Sequence, residues 1–120
     1  MILHLAPASD WDAVPADGSY AAPSLATEGF IHCTGDDETL LGVANAFYRD
    51  VPGEMVVLTI DETRVGAAVR WEAPSPAPPP GSAVTLFPHV FGPLPRAAVV
   101  AERRLVRDAD GVASGYASRS

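Results

Sequence analysis

The chain has 120 residues, which suits one compact domain and is too short for two ordinary ones. Apolar residues make up 48% of it and charged residues 19%, a balance that excludes intrinsic disorder. The formal net charge of -7 would repel phosphate backbones, so we expect no nucleic-acid partner. No long apolar run and no leader-like N-terminus is present, and we expect a cytoplasmic protein without membrane contact.

The first third of the chain predicts two short strands and one short helix. Residues 2–6 are apolar and stop at a proline, which indicates a strand in the middle of a sheet. Residues 9–18 begin with helix-capping side chains and meet a proline within two turns, so we expect a short helix there. A loop over 19–28 leads to a strand at 29–34, with the sequence GFIHCT.

The middle of the chain predicts the main helix and two strands. Residues 34–50 have a hydroxyl side chain at the start, acidic residues in the first turn and apolar residues at helical spacing. The β-branched run at 54–61 and the run at 65–72 predict strands that form a hairpin or a meander, although other short connections remain open.

The last third predicts a proline-rich loop, two strands and a tail. Residues 73–82 contain five prolines and should form an extended surface loop. Residues 83–92 and 97–107 predict a final strand pair, and the small, polar residues 108–120 predict a flexible C-terminal tail. The sum is a single α+β domain over residues 1–107, with one main and one short helix.

All three histidines lie on predicted strands, at His4, His32 and His89. Strand alternation gives each of them apolar or aromatic neighbours on its own face. Any one of them alone is explained as a partly buried histidine satisfied by a carbonyl or a hydroxyl. Together they predict a cleft in which the imidazoles converge, with burial shifting their pKa values toward proton transfer. We therefore take all three as candidate catalytic residues.

Metal and nucleophile chemistry are less well supported by the sequence. The histidines form no HxH or HExxH pair, and we expect no metal site. Cys33 is the single cysteine, and alternation should turn it away from His32 into the core. Ser24 lacks the glycines of a nucleophile elbow, and Asp36 and Asp37 fit a helix start better than a catalytic dyad.

Polar and aromatic residues at loops or strand ends complete the candidate site. We take as candidate ligand-binding residues Tyr20, Ser24, Glu28, Thr34, Trp71 and Glu72. Each also has a simpler role, since Tyr20 fits a core edge and Glu28 a solvated charge. Thr34 shares a strand face with His32, which places it beside the predicted cleft.

Several motifs follow one another over about residues 2–104: LH in the first strand, EGFIHCT, LTID, VRWE and FPHVFGPLPRAAVV. In this order the chain resembles the bacterial domain of unknown function 952 family, with its recurrent GFIHxS and FPHxYGPL. Thr34 keeps the hydroxyl of the first motif, whereas Phe91 loses that of the second.

The resemblance implies a compact relative of the ADP-ribosyltransferase fold, a split pair of antiparallel sheets whose cleft holds NAD in the enzymes. It implies that His4 contacts the nucleotide ribose. The residues that it implies around the nicotinamide are Tyr20, Ser24, His32 and Thr34. The late catalytic glutamate of those enzymes has no match, because His89 stands in the corresponding region.

Three functional hypotheses follow. The first is an enzyme, a transferase or hydrolase for NAD- or ADP-ribose-related small molecules that uses histidine general acid/base chemistry. The second is a non-catalytic protein that binds a nucleotide or another metabolite in the same cleft. The third is a structural or interaction domain in which the histidines serve packing.

Overall fold

Small antiparallel sheets carry the fold in the residues that the computed structural model describes, 1–74 and 85–119. The larger sheet has the strand order β1-β4-β8-β9, made of β1 (Ile2–Pro7), β4 (Met55–Ile60), β8 (Val99–Arg107) and β9 (Ala113–Ser118). The second sheet has the order β3-β6-β5, made of β3 (Ile31–His32), β6 (Phe87–Val90) and β5 (Val69–Glu72). A two-stranded ladder pairs β2 (Ser19–Tyr20) with β7 (Leu94–Pro95).

Three α-helices are found in the described residues: α1 (Ala8–Asp12), α2 (Pro23–Glu28) and α3 (Asp37–Phe47). The N-cap of α3 is Asp36, whose carboxylate accepts a hydrogen bond of 2.7 Å from the amide of Thr39. Over residues 1–74 and 85–119, every helix is too short or too polar to cross a membrane.

The larger sheet is covered on both faces. On one face Leu3 and Leu5 of β1 pack with Leu40 and Ala44 of α3. On the other face a second apolar cluster joins the sheet to α1 and to the second sheet, and it includes Ile2, Ala6, Trp11, Ile31, Leu58 and Val90. This double burial explains why β1 is apolar almost without interruption, since both sets of alternating side chains enter a core.

The predicted α+β class is confirmed, and the strands near 2–6 and 29–34 and the main helix are present. The predicted strand pairing is wrong. β4 and β5 do not form a hairpin but lie in different sheets, as do β6 and β8. β1 stands at one end of its sheet order rather than in the middle, although a bridge joins Leu3 to Thr34. Several strand pairings are compatible with the short connections in this chain. The pairing that forms buries both faces of the larger sheet.

Two helix predictions need correction. The short helix covers Ala8–Asp12 rather than 9–18, because Pro7 supplies the extended residue that precedes it and residues 13–18 form turns. The predicted loop over 19–28 contains α2, which begins at Pro23, ends at Glu28 and is followed by Gly29 with a φ of 87°. Proline at the first helical position and glycine after the last are known helix boundaries, so this signal was present in the sequence.

The C-terminal residues differ most from expectation. We expected 108–120 to be flexible, whereas Ala113–Ser118 pair with β8 as the strand β9. Arg119 then forms ion pairs with Asp12, Glu54 and Glu102, which join the end of the chain to the sheet. The predicted loop over 73–82 lies mostly outside the described residues.

Candidate functional site

A cavity of about 190 Å³ lies between α3, β1 and the second sheet. The residues that line it are Leu3, His4, Leu5, His32, Cys33, Thr34, Leu40, Val43, Phe47, Tyr48, Pro74, Phe87 and His89. The wall is mainly apolar, and all three of the chain's histidines belong to it. A mainly apolar cavity with a few convergent polar groups is the usual form of a small-molecule site.

His4 is buried in the wall and neutral. Its Nδ1–H donates a hydrogen bond of 2.6 Å to the main-chain carbonyl of His32, which fixes the proton on Nδ1 because a carbonyl only accepts. Burial lowers the pKa of His4 to about 4, and the nearby His32 lowers it further against the effect of the carbonyl. At neutral pH, Nε2 of His4 therefore carries a lone pair.

His89 forms a carboxylate–imidazole pair with Glu72. The two residues are 17 positions apart, on the neighbouring strands β6 and β5, and the Nδ1–H of His89 donates to Oε1 of Glu72 at 2.9 Å. The imidazole is 2% exposed, whereas the carboxylate is 42% exposed. A carboxylate that accepts from Nδ1 holds the ring in the tautomer whose Nε2 is free to accept a proton.

His32 forms a second pair of the same kind. Its Nε2–H donates to Oε2 of Glu28 at 2.8 Å, and both side chains are about one-third exposed. The rings of His32 and His89 face each other across the β3–β6 ladder with centroids 5.6 Å apart. Phe30 stacks on His89 at 4.1 Å and contacts His32 edge-on at 4.8 Å, so one aromatic ring orients both imidazoles.

Buried polar atoms without a partner are concentrated at this cavity. Four side-chain atoms are buried without a hydrogen-bond partner among the described residues, and three belong to residues that line the cavity: Nε2 of His4, Oγ1 of Thr34 and Nε2 of His89. The fourth is Nε1 of Trp11 in the core. Each such atom costs about 1–3 kcal/mol when buried unpaired. Their concentration in one wall is the feature that a bound polar ligand would explain.

Cys33 lies closer to the site than alternation predicted. It is buried in the core cluster, as expected, yet it also lines the cavity beside His32 and Thr34. The strand β3 ends at His32, so strict alternation does not continue to Cys33. Burial raises the pKa of the Cys33 thiol well above its usual range, which keeps it protonated and inert as a nucleophile.

The other predicted ligand-binding residues lie at different distances from the cavity. Glu28 and Glu72 bind the histidines rather than line the wall. Tyr20 is buried in the core with its ring 5.7 Å from that of His4, and burial raises its pKa to about 12. Ser24 is half-buried on α2. Trp71 is 48% exposed and lies against Gly35, where an added Cβ would meet its ring at 2.9 Å.

The sequence reasoning missed the apolar wall. Leu40, Val43 and Phe47 of α3 face the cavity at helical spacing, and Tyr48 follows the helix. Their 3.6-residue period predicts the helix but does not show that this face lines a cavity. The stacking of Phe30 on both imidazoles was also missed, although strand alternation put Phe30 on the face of His32.

In the described ranges, the His, Cys, Asp and Glu side chains form no group of three or more that could hold a metal ion. A second pocket, of about 500 Å³, lies between the turns at 49–55 and 104–111. There Arg107 donates to the carbonyls of Tyr48 and Val51, and Asp108 accepts from the amides of its own turn. Since these charged groups stabilise the turns, we place the candidate site at the histidine-lined cavity.

Comparison with known proteins identifies relatives but no activity. The family model described as "Protein of unknown function (DUF952)" matches residues 5–102. The crystal structure of protein CC0527 from Caulobacter crescentus superimposes with a TM-score of 0.74 at 28% identity, over 94% of this chain and 92% of that chain. Its solution NMR structure gives 0.69 at 28% identity, over 92% and 89%. No match is found among the curated proteins. This neighbour, a structural genomics protein, lends no support to the finer expectation of an ADP-ribosyltransferase fold.

Proposed function

The chain belongs to the DUF952 family, and we propose that its histidine-lined cavity binds a small molecule on which His89, held by Glu72, acts as a general base. The reaction class is a hydrolysis or a group transfer driven by histidine acid/base chemistry. The observation that carries the proposal is the concentration of unpartnered buried polar atoms in one apolar wall, within the part of the chain that the structure describes.

The Glu72–His89 pair supports the role of base. With Nδ1–H committed to the carboxylate, Nε2 of His89 can take a proton from an O–H or N–H group in the cavity. The carboxylate then stabilises the imidazolium that forms. Because burial keeps the Cys33 thiol protonated, the group that loses the proton is water or a hydroxyl or amine of the ligand.

The Glu28–His32 pair supports an acid/base exchange. The ring of His32 lies 5.6 Å from that of His89, close enough for both imidazoles to contact one small molecule. The ring is about one-third exposed, so it exchanges protons with solvent, whereas His89 is almost fully enclosed. The Nε2–H of His32 is committed to Glu28, so we assign its Nδ1 the uptake of a proton from solvent and the return of that proton to the leaving group.

A second candidate is NAD-related chemistry, which the resemblance to ADP-ribosyltransferases implies. The cavity of about 190 Å³ is slightly larger than an engineered cavity of about 150 Å³ that binds benzene. Its size supports one ring, such as the nicotinamide of NAD, and not a whole dinucleotide. In this candidate, Glu72 is the carboxylate nearest to the enclosed imidazole.

Thermal denaturation with a small panel of compounds tests the binding part of the proposal. The panel contains nicotinamide, ADP-ribose, NAD and uncharged single-ring compounds. We expect at least one ring-sized compound to raise the Tm of the wild type and of Thr27→Val, whose hydroxyl lies on the exposed side of α2. The rise should be smaller in Thr34→Val, which removes a cavity hydroxyl. No rise in the wild type, or an equal rise in Thr34→Val, would count against the site.

Turnover separates an enzyme from a binding protein. Nicotinamide release from NAD is measured for the wild type, His89→Gln and Glu72→Gln, each checked for folding by circular dichroism. Loss of turnover in both variants with retained ligand binding supports general base catalysis. Binding without turnover of NAD excludes the second candidate. Turnover that persists in both variants would contradict the role of His89 as the base.

A further inference from the structure

The free polar atoms of the cavity are mostly hydrogen-bond acceptors. Each buried imidazole donates its Nδ1–H elsewhere, His4 to the carbonyl of His32 and His89 to the carboxylate of Glu72. Each therefore keeps an Nε2 lone pair, and both Nε2 atoms are buried, belong to residues that line the cavity and lack a partner among the described residues. The hydroxyl of Thr34, which can donate or accept, is the third such atom.

From this arrangement we infer that the cavity recognises a neutral, ring-sized molecule whose N–H or O–H groups donate to Nε2 of His4 and of His89. The inference rests on the proposed function, since it takes Nε2 of His89 as the unprotonated base. It adds the chemical class of the ligand.

Anionic ligands fit this wall poorly. A phosphate or carboxylate needs several donors, whereas two of the three lining atoms without a partner in residues 1–74 and 85–119 carry lone pairs. The carboxylates of Glu28 and Glu72 also lie directly behind the imidazoles of His32 and His89. Their negative charge opposes a second negative charge in an apolar wall of low dielectric.

Cationic ligands fit poorly for a different reason. A cation in the cavity would lose its hydration against side chains such as Leu3, Leu40 and Phe87. The two carboxylates close to the site are already engaged by imidazole N–H groups and stand behind them. A neutral donor avoids this cost and pairs the lone pairs that have no partner among the described residues.

Three ring probes of nearly equal size separate these classes: phenol, fluorobenzene and benzoate. Their affinities for the full chain are measured at pH 7 by isothermal titration calorimetry. Phenol carries one O–H donor, and one well-placed hydrogen bond of about 1.4 kcal/mol corresponds to about a tenfold difference in Kd. We expect phenol to bind about tenfold more tightly than fluorobenzene and more tightly than benzoate.

The variants His4→Phe and His89→Phe keep a ring in the wall and remove one acceptor each. We expect the preference for phenol over fluorobenzene to fall in at least one of them, and the wild-type comparison stands even if a variant fails to fold. Equal binding of phenol and fluorobenzene, or preferred binding of benzoate, would overturn the inference and leave the site itself intact. Binding of none of the three would instead contradict the proposed small-molecule cavity.

Discussion

The imidazoles of His32 and His89 lie 5.6 Å apart on paired strands, and each donates a hydrogen bond to a glutamate of its own. The pairing is between residues 57 positions apart in sequence, yet the two rings share one cavity wall. One ring is enclosed and the other is partly exposed. This asymmetry gives two similar side chains different access to solvent, which suits the different roles proposed for them.

The tautomer of His89 depends on Glu72. In the wild type we expect the proton on Nδ1, because the carboxylate accepts from it. Glu72→Gln supplies an amide that can also donate to Nδ1, so the proton should move in part to Nε2. Long-range ¹H–¹⁵N correlation spectra of the imidazoles report this shift. Glu28→Gln is the matched control and should leave His89 unchanged; the same tautomer in Glu72→Gln would show that the carboxylate does not hold the ring.

Thr34→Val should stabilise the free protein. The substitution replaces a buried hydroxyl, unpartnered within the described ranges, by a methyl group of similar size, and we expect a gain of about 1 kcal/mol in the free energy of unfolding. Urea denaturation measures it, with the exposed Thr27→Val as a control close to zero. A loss of stability in Thr34→Val would mean that the hydroxyl is satisfied in the free protein.

The buried His4 should make stability depend on pH in acid. Its folded-state pKa is about 4, against an ordinary value of 6.5. Above pH 6.5 both states hold a neutral ring. As the pH falls from 6.5 to 4, the unfolded chain binds a proton that the folded chain does not, so the free energy of unfolding falls by roughly 3 kcal/mol.

His4→Gln tests this assignment, because an amide can still donate to the carbonyl of His32 but does not titrate in this range. The free energy of unfolding of the variant, measured by urea denaturation at several pH values, should fall less between pH 6.5 and 4. An identical pH dependence in both proteins would show that His4 is not the group responsible.

Gly111 tests the ordered C-terminal strand. It adopts a φ of 83°, and a Cβ there would collide with the carbonyl oxygen of Arg49. Gly66 has a similar φ of 79° with open space around it. We expect Gly66→Ala to lower the free energy of unfolding by about 1–2 kcal/mol from backbone strain alone. Gly111→Ala adds a main-chain collision and should lose at least about 3 kcal/mol; equal losses in urea denaturation would mean that the turn before β9 does not pack on Arg49.

The sequence predicted the local features of the site better than its assembly. Alternation put His32 and Thr34 on one strand face, and both residues line the cavity with His4, although Cys33 lines it too. These inferences needed only the two-residue period of a strand. The motif order also identified the family that the comparisons confirm.

The glutamate partners could not be read from the sequence. Glu72 meets His89 only because β5 pairs with β6, whereas the sequence favoured a β4–β5 hairpin. Glu28 meets His32 because Gly29, which follows α2, turns the chain toward β3, whereas the sequence predicts a loop in place of α2. The Glu72–His89 pair depends on strand pairing in the folded protein, and the Glu28–His32 pair depends on a short helix. Local residue propensities predict both features poorly.

The most direct test of the central claim is a titration of the ¹⁵N-labelled protein with phenol, followed through the imidazole nitrogens of His4 and His89. Phenol carries one O–H donor, so the Nε2 resonance of His4 or of His89 should shift as the site saturates, while both Nδ1–H groups keep their hydrogen bonds to the carbonyl of His32 and the carboxylate of Glu72. Binding that leaves both Nε2 resonances unchanged, or that shifts only residues outside the cavity wall, would contradict the account.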